Sequence, residues 1–225
     1  MRRTVVVLAI ALTAVLPTEA VARPLAEALA PRRAGYEATI SRIPRHLRQR
    51  IVGSSWRPGC PVPLRKLRLV KVTYLDFSDE RRRGRLVVHS AVARGVTRVF
   101  RDLYRAGFPI RRMELVDRYG ADDMRSMRAD NTSAFNCRYR DGVCCRWSMH
   151  AYGRAIDVNP VENPYVGSWG VSPPNGAAYV DRSPIRRGMI AHGDEVWRAF
   201  RDAGWSWGGD WGWPVDYQHF STNGR

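Results

Sequence analysis

Apolar and polar residues alternate through LRLVKVTYLDF, residues 67–77, with the two-residue period of a half-buried strand. The period then lengthens. In HSAVARGVTRVFRDLYRAG, residues 89–107, the positions Val92, Val96, Val99, Phe100 and Leu103 fall on one helical face, and Gly107 follows as a stop. IRRMELVDRYG, residues 110–120, predicts another strand, and ADDMRSM, residues 121–127, a short helix or turn. In GDEVWRAFRDAG, residues 193–204, Val196, Ala199, Phe200 and Ala203 form one face of an amphipathic helix that Gly204 ends. Strands and helices are interspersed without regular βαβ alternation, which predicts an α+β fold in a single compact domain.

Outside these elements the pattern weakens. Residues 23–58, rich in Arg, Pro and Ala, predict a lead-in with one short helix around Tyr36–Ile51, and the compact domain is expected over 59–225. Residues 160–188 hold several Pro and Gly and predict a long surface excursion. The end of the chain, WSWGGDWGWPVDYQHFS, is dense in Trp and Gly; a packed core is the commoner use of such a cluster, a binding platform the rarer.

The first residues add an address. Arg2 and Arg3 precede a mostly apolar run from Thr4 to Leu16, followed by Pro17 and the small-x-small pattern Ala20-Val21-Ala22. That is the layout of a secretory signal peptide over residues 1–22, with Ala28-Leu29-Ala30 as a second site for the cut. The run is shorter than the roughly 20 residues that span a bilayer, so no stable membrane insertion is expected after cleavage. The expected location is secreted, or within the cell envelope.

Formal net charge is +16, and +15 once Arg2, Arg3 and Glu19 leave with the signal. A surplus of this size attracts anionic polymers. Nucleic acid is the usual partner of such a charge, but the export signal points to wall polymers bearing phosphate or carboxylate, and no nucleic acid is expected. Four cysteines, Cys60, Cys137, Cys144 and Cys145, read as disulfides in an exported chain, with three possible pairings. A zinc cluster of Cys137, Cys144 and Cys145 is the alternative, although its spacing lacks the C-x2-C form.

Candidate chemistry lies among five histidines. A hydrolytic zinc site takes three protein ligands, leaves one position open for water, and needs a nearby carboxylate to accept a proton. SMHAYGRAID, residues 148–157, places His150 seven positions before Asp157 with Gly153 as a bend between them; Asp216 stands three residues before His219. His150, Asp157 and His219 could supply two imidazoles and one carboxylate, with Asp216 as the free base. Asp216 and His219 face opposite ways in a flat strand, so that half of the site requires a turn or bulge.

The motif S-x-H-x-x-G-x-A-x-D, present as Ser148, His150, Gly153, Ala155 and Asp157, resembles the signature of zinc D-alanyl-D-alanine carboxypeptidases. The same family includes L-alanyl-D-glutamate endopeptidases and VanY-like enzymes. AFNCR, NPYV, WGGDW and DYQHFS resemble its branch with Asp at the base position. The resemblance covers roughly Cys60 to Ser221 and implies a central antiparallel sheet flanked by helices, the hedgehog/DD-peptidase-like fold. It implies one Zn2+ held by His150, Asp157 and His219, with Asp216 as general base and peptidoglycan peptides as substrate. Arg138 matches the arginine that stabilises the developing oxyanion, and Ser148 a position beside the ligands that orients the site or binds substrate. The adjacent Cys144 and Cys145 depart from the family pattern. Two other readings remain: a non-catalytic, metal-containing wall-binding module, which would not need Asp216, and a nucleic-acid binder.

Overall fold

The computed structural model describes residues 35–140 and 144–224. The expected signal peptide, and the lead-in up to residue 34, lie outside the described residues. From Gly35 onward the chain is one compact unit.

Its frame is a three-stranded antiparallel sheet in the order β1 (Ala38–Ser41), β2 (Leu67–Leu75) and β3 (Arg81–His89). The alternation read in residues 67–77 divides β2 between two cores. Val70, Val72 and Tyr74 join the larger one, with α2 (Ala93–Ala106) and α4 (Glu195–Asp202) packed over it. Leu67 and Leu69 face the smaller one. Gly107 ends α2 in the left-handed conformation, taking the role its position predicts.

That second face corrects the expected boundary at residue 59. Residues 38–41 pair with β2, and α1 (Arg45–Ile51) lays Leu47 and Ile51 against Leu67, Leu69 and Val87. The expected helix over 36–51 is thus a strand followed by a shorter helix. Burying one such side chain stabilises the fold by about 1.5–3 kcal/mol. Stripping residues 35–58 would therefore expose a sheet face, whatever their arginine content suggests.

Two further corrections concern strands. RRRGRLVVH, residues 81–89, forms β3 although its first three residues are exposed arginines. The strand expected over 110–120 does not form. There Asn131 accepts from the Glu114 N–H and donates to the Glu114 carbonyl, while Arg85 N–H donates to the Met113 carbonyl. Single bonds to scattered backbone and side-chain partners thus take the place of a strand ladder, and Val116–Tyr119 coils into a 3-10 turn. The short helix expected at 121–127 is present as α3 (Asp123–Arg128), capped by the Asp122 side chain.

Beside that sheet, two small antiparallel sheets complete the α+β architecture. One has the order β4 (Ala155–Asp157), β9 (His219–Ser221), β7 (Ser206–Trp207). The other has the order β6 (Gly170–Ser172), β5 (Tyr165–Gly167), β8 (Val215–Asp216). The 160–188 excursion therefore carries its own hairpin, and it is rooted in the protein interior. Buried Asn163 accepts from Ile190 N–H and Arg182 and donates to the Gly188 carbonyl, tying the two ends of the excursion together. Phe220 of β9 stacks on Phe200 of α4 with ring centroids 3.9 Å apart, which fixes the second sheet to the main core. Among the described residues no helix is long and apolar enough to cross a membrane.

Candidate metal centre

His150 stands on a 3-10 turn, Met149–Tyr152, and Asp157 on β4. Ser148 caps the turn by accepting from the His150 N–H, so the structure gives this residue a positioning contact. Gly153 closes the turn with φ +62, a left-handed conformation. A Cβ there would come within 2.7 Å of the His89 backbone nitrogen, whose N–H donates to the Gly153 carbonyl. The glycine is therefore needed both for its angle and for the close pass of the two chains. Gly153→Ala is expected to cost about 2–4 kcal/mol, from the left-handed penalty plus overpacking. Urea denaturation would read that loss, and a metal titration the accompanying displacement of His150.

Register brings in the third residue. β4 and β9 pair antiparallel with Asp157 directly opposite His219, so neighbouring strands hold a carboxylate and an imidazole side by side. The chain then crosses between sheets. Asp216 ends β8, Tyr217 and Gln218 turn, and His219 begins β9. This is the turn the D-x-x-H spacing requires, and it is a passage between two sheets, not a helical turn.

The three side chains converge. His150 Nε2 lies 3.1 Å from Asp157 Oδ2 and 3.3 Å from His219 Nδ1, and His219 Nδ1 lies 3.0 Å from Asp157 Oδ1. His150 Nδ1 meets the Ala134 carbonyl at 2.5 Å. A carbonyl only accepts, so Nδ1 carries a proton, and Nε2 is the nitrogen that faces the other two groups. Donors about 2.0–2.1 Å from a tetrahedral zinc ion sit roughly 3.3 Å from one another, so the observed spacing suits such an ion. Two imidazoles and a carboxylate are also a donor set that zinc takes. These residues fit the metal.

Burial alone would raise the Asp157 carboxyl, but the charges and hydrogen bonds of His150 and His219 outweigh it and hold the group well below the usual carboxylate range. Asp216 behaves oppositely. Burial pushes it up to about 7; the His219 and Arg138 charges and a hydrogen bond from Gln218 oppose that rise, and the Asp157 charge adds to it. Its Oδ1 is buried without a hydrogen-bond partner among the described residues. Two carboxylates in one site are thus driven apart, one kept ionised and the other poised near neutrality. Gly208 leaves the room Asp216 needs, since a Cβ there would lie 2.5 Å from the Asp216 carbonyl oxygen.

All four of these residues line a cavity of about 680 Å³, as do Ser148 and Arg138. Asp123 grips Arg138 from the floor of the cleft, and Asn136 in turn donates to Asp123 at 2.7 Å. Sequence reading assigned Asp123 only to a short helix and missed this brace. It also missed Tyr139 and Trp147, which stack at 4.2 Å and form one wall. The Trp-rich end divides between both of its readings. Trp205 and Trp207 are core, whereas Trp211 lines the cavity with its ring 5.7 Å from that of His219.

Cys60 and Cys137 form a disulfide, which removes Cys137 from any cysteine cluster and overturns the zinc alternative. The bond fastens the strip before Arg138 to the 54–60 segment. Cys144 and Cys145 are exposed thiols with sulfurs 3.0 Å apart.

No curated protein and no solved structure matches the chain. Residues 144–222, a span holding His150, Asp157, Asp216 and His219, match the family model of the D-alanyl-D-alanine carboxypeptidases, and this match supports the peptidase family that the motifs resemble.

Proposed function

We propose that this chain is a zinc-dependent peptidase, exported from the cell, that hydrolyses peptidoglycan stem peptides. The observation that carries the reading is the convergence of His150, Asp157 and His219 beside a buried carboxyl, Asp216, held near neutrality. His150 Nε2, His219 Nδ1 and the Asp157 carboxylate would hold the ion. When bound, Zn2+ supplies Lewis-acid polarisation and lowers the pKa of water.

The protein's own groups supply the rest. Asp216 accepts the proton of the attacking water and later delivers it to the departing amine; a carboxyl near pKa 7 suits both directions. Arg138, oriented by Asp123, faces the cavity as the charge that stabilises the oxyanion developing on the substrate carbonyl. Asp157 stays ionised throughout and holds His219 in position.

A pure wall-binding module has no use for a buried carboxyl poised near neutrality next to its metal ligands, so Asp216 favours catalysis. The cavity also carries Arg57 and Arg140 in addition to Arg138. Cations of this kind pair with a free terminal carboxylate, which favours carboxypeptidase action over cleavage within the stem. Mass analysis of products from a defined stem pentapeptide tests this. Loss of the terminal D-alanine is the expected result. Cleavage between L-alanine and D-glutamate would keep the peptidase and overturn the choice of bond, and an uncut peptide would overturn the peptidase.

A further inference from the structure

A second groove, of about 440 Å³, shares no lining residue with the metal cleft. Arg42, Arg48, Arg65, Lys66 and Arg68 surround it, over a floor formed by Ile43, Leu64 and Leu67. They come from the link after β1, from α1, from the 3-10 turn Leu64–Lys66 and from the start of β2. Elsewhere on this protein many arginines are matched: Arg82 with Asp76, Arg111 with Glu162, Arg187 with Asp79. None of the five groove cations has a carboxylate partner among the described residues.

Gathering five cations into one concavity costs electrostatic energy that this groove does not relieve with its own acids. Two of these charges also act on neighbouring His89. Burial lowers the imidazole pKa, and the Arg154, Lys66 and Arg68 charges lower it further. The array is partly pre-set, because the Arg68 guanidinium donates to the Arg65 and Leu67 carbonyls, each at 2.9 Å. Ser90 adds a hydroxyl at the edge.

We propose that this groove is a binding site for a polymer of linked phosphates that carries no bases. Guanidinium forks match phosphate oxygens two at a time, and several closely spaced anions are needed to satisfy cations from four segments. The lining holds no aromatic ring on which a base could stack, which separates this site from a single-stranded nucleic-acid groove. Bound there, the polymer would hold the protein at a phosphate-rich surface while leaving the metal cleft open.

The test uses the full chain and long-chain inorganic polyphosphate, with single-stranded DNA and polyglutamate of equal charge as comparisons. Polyphosphate is expected to bind tightest, with a strong salt dependence. The double variant Arg48→Gln, Arg65→Gln removes two exposed side chains and should leave the fold intact. It is expected to weaken binding at low salt about tenfold or more and to lower the log–log salt slope by about one and a half to two. Arg94→Gln, Arg105→Gln removes the same charge from exposed positions on α2 and is expected to change binding less than about twofold, as fits charge outside the site. Neither variant should alter hydrolysis of a soluble peptide. Equal weakening by both pairs would reduce the site to net charge and overturn the proposal. Binding of DNA or polyglutamate as tight as that of polyphosphate would overturn the assigned ligand.

Discussion

Asp216→Ala is expected to keep its metal, keep its fold and lose hydrolysis. The carboxyl is buried, and its desolvation is opposed only in part by His219, Arg138 and Gln218. Deleting it removes an unfavourably buried group, so thermal unfolding should come no earlier than in the parent protein. The three ligand side chains do not depend on it for position. His150 is fixed by Ala134, and Asp157 with His219 by the β4–β9 register. Removal of a general base of this kind lowers kcat by about 10²–10⁴-fold. The KM for the peptide should change far less, because Asp216 acts on the water and the leaving amine. Metal stoichiometry and steady-state kinetics on one sample separate the two effects. Hydrolysis at the parental rate would remove Asp216 from the mechanism.

His150→Ala is expected to lose both metal and activity. Its Nε2 is one of three converging donors, and the two that remain cannot make the three-ligand set a hydrolytic zinc site takes. Changes one shell further out commonly cost 10–100-fold in metal affinity, so loss of a ligand should exceed about 100-fold. The variant also leaves the Ala134 carbonyl without its imidazole donor inside the protein, at about 1–3 kcal/mol. A lower unfolding midpoint should accompany the lost metal. Excess zinc should therefore restore neither stability nor hydrolysis. The contrast with Asp216→Ala is informative, since one variant separates metal from chemistry and the other removes both together.

What was legible beforehand follows from the length and environment of each element. β2, α2 and α4 are long and have one well-defined buried side, so their periods show in the sequence. β3 was hidden because its first half faces solvent and is arginine. β1 was hidden for a related reason, since all four of its residues are exposed, and α1 buries only Leu47 and Ile51, too few to set its bounds. The strand expected at 110–120 had a plausible pattern, but its backbone bonds to scattered partners, among them the Asn131 side chain and the Arg85 and Thr132 N–H groups.

The candidate metal centre was legible through different information. Ligand chemistry leaves few choices of residue type, and only five histidines were available. The two pairs His150–Asp157 and Asp216–His219 could therefore be recognised without knowing that β4 and β9 are neighbours. Strands of two or three residues carry no period, so the arrangement that joins the pairs could not be read. Asp123 was unreadable for the same reason: its role is set by Arg138 and Asn136, which only tertiary structure brings to it.

The central claim is that one zinc ion, held by His150, Asp157 and His219, is required for peptide hydrolysis. It is tested most directly by measuring metal content and stem-peptide cleavage on the same preparation before and after chelation. The account predicts one zinc per chain, cleavage abolished when the zinc is stripped, and cleavage restored when zinc is returned. Unchanged cleavage by metal-free protein would contradict it.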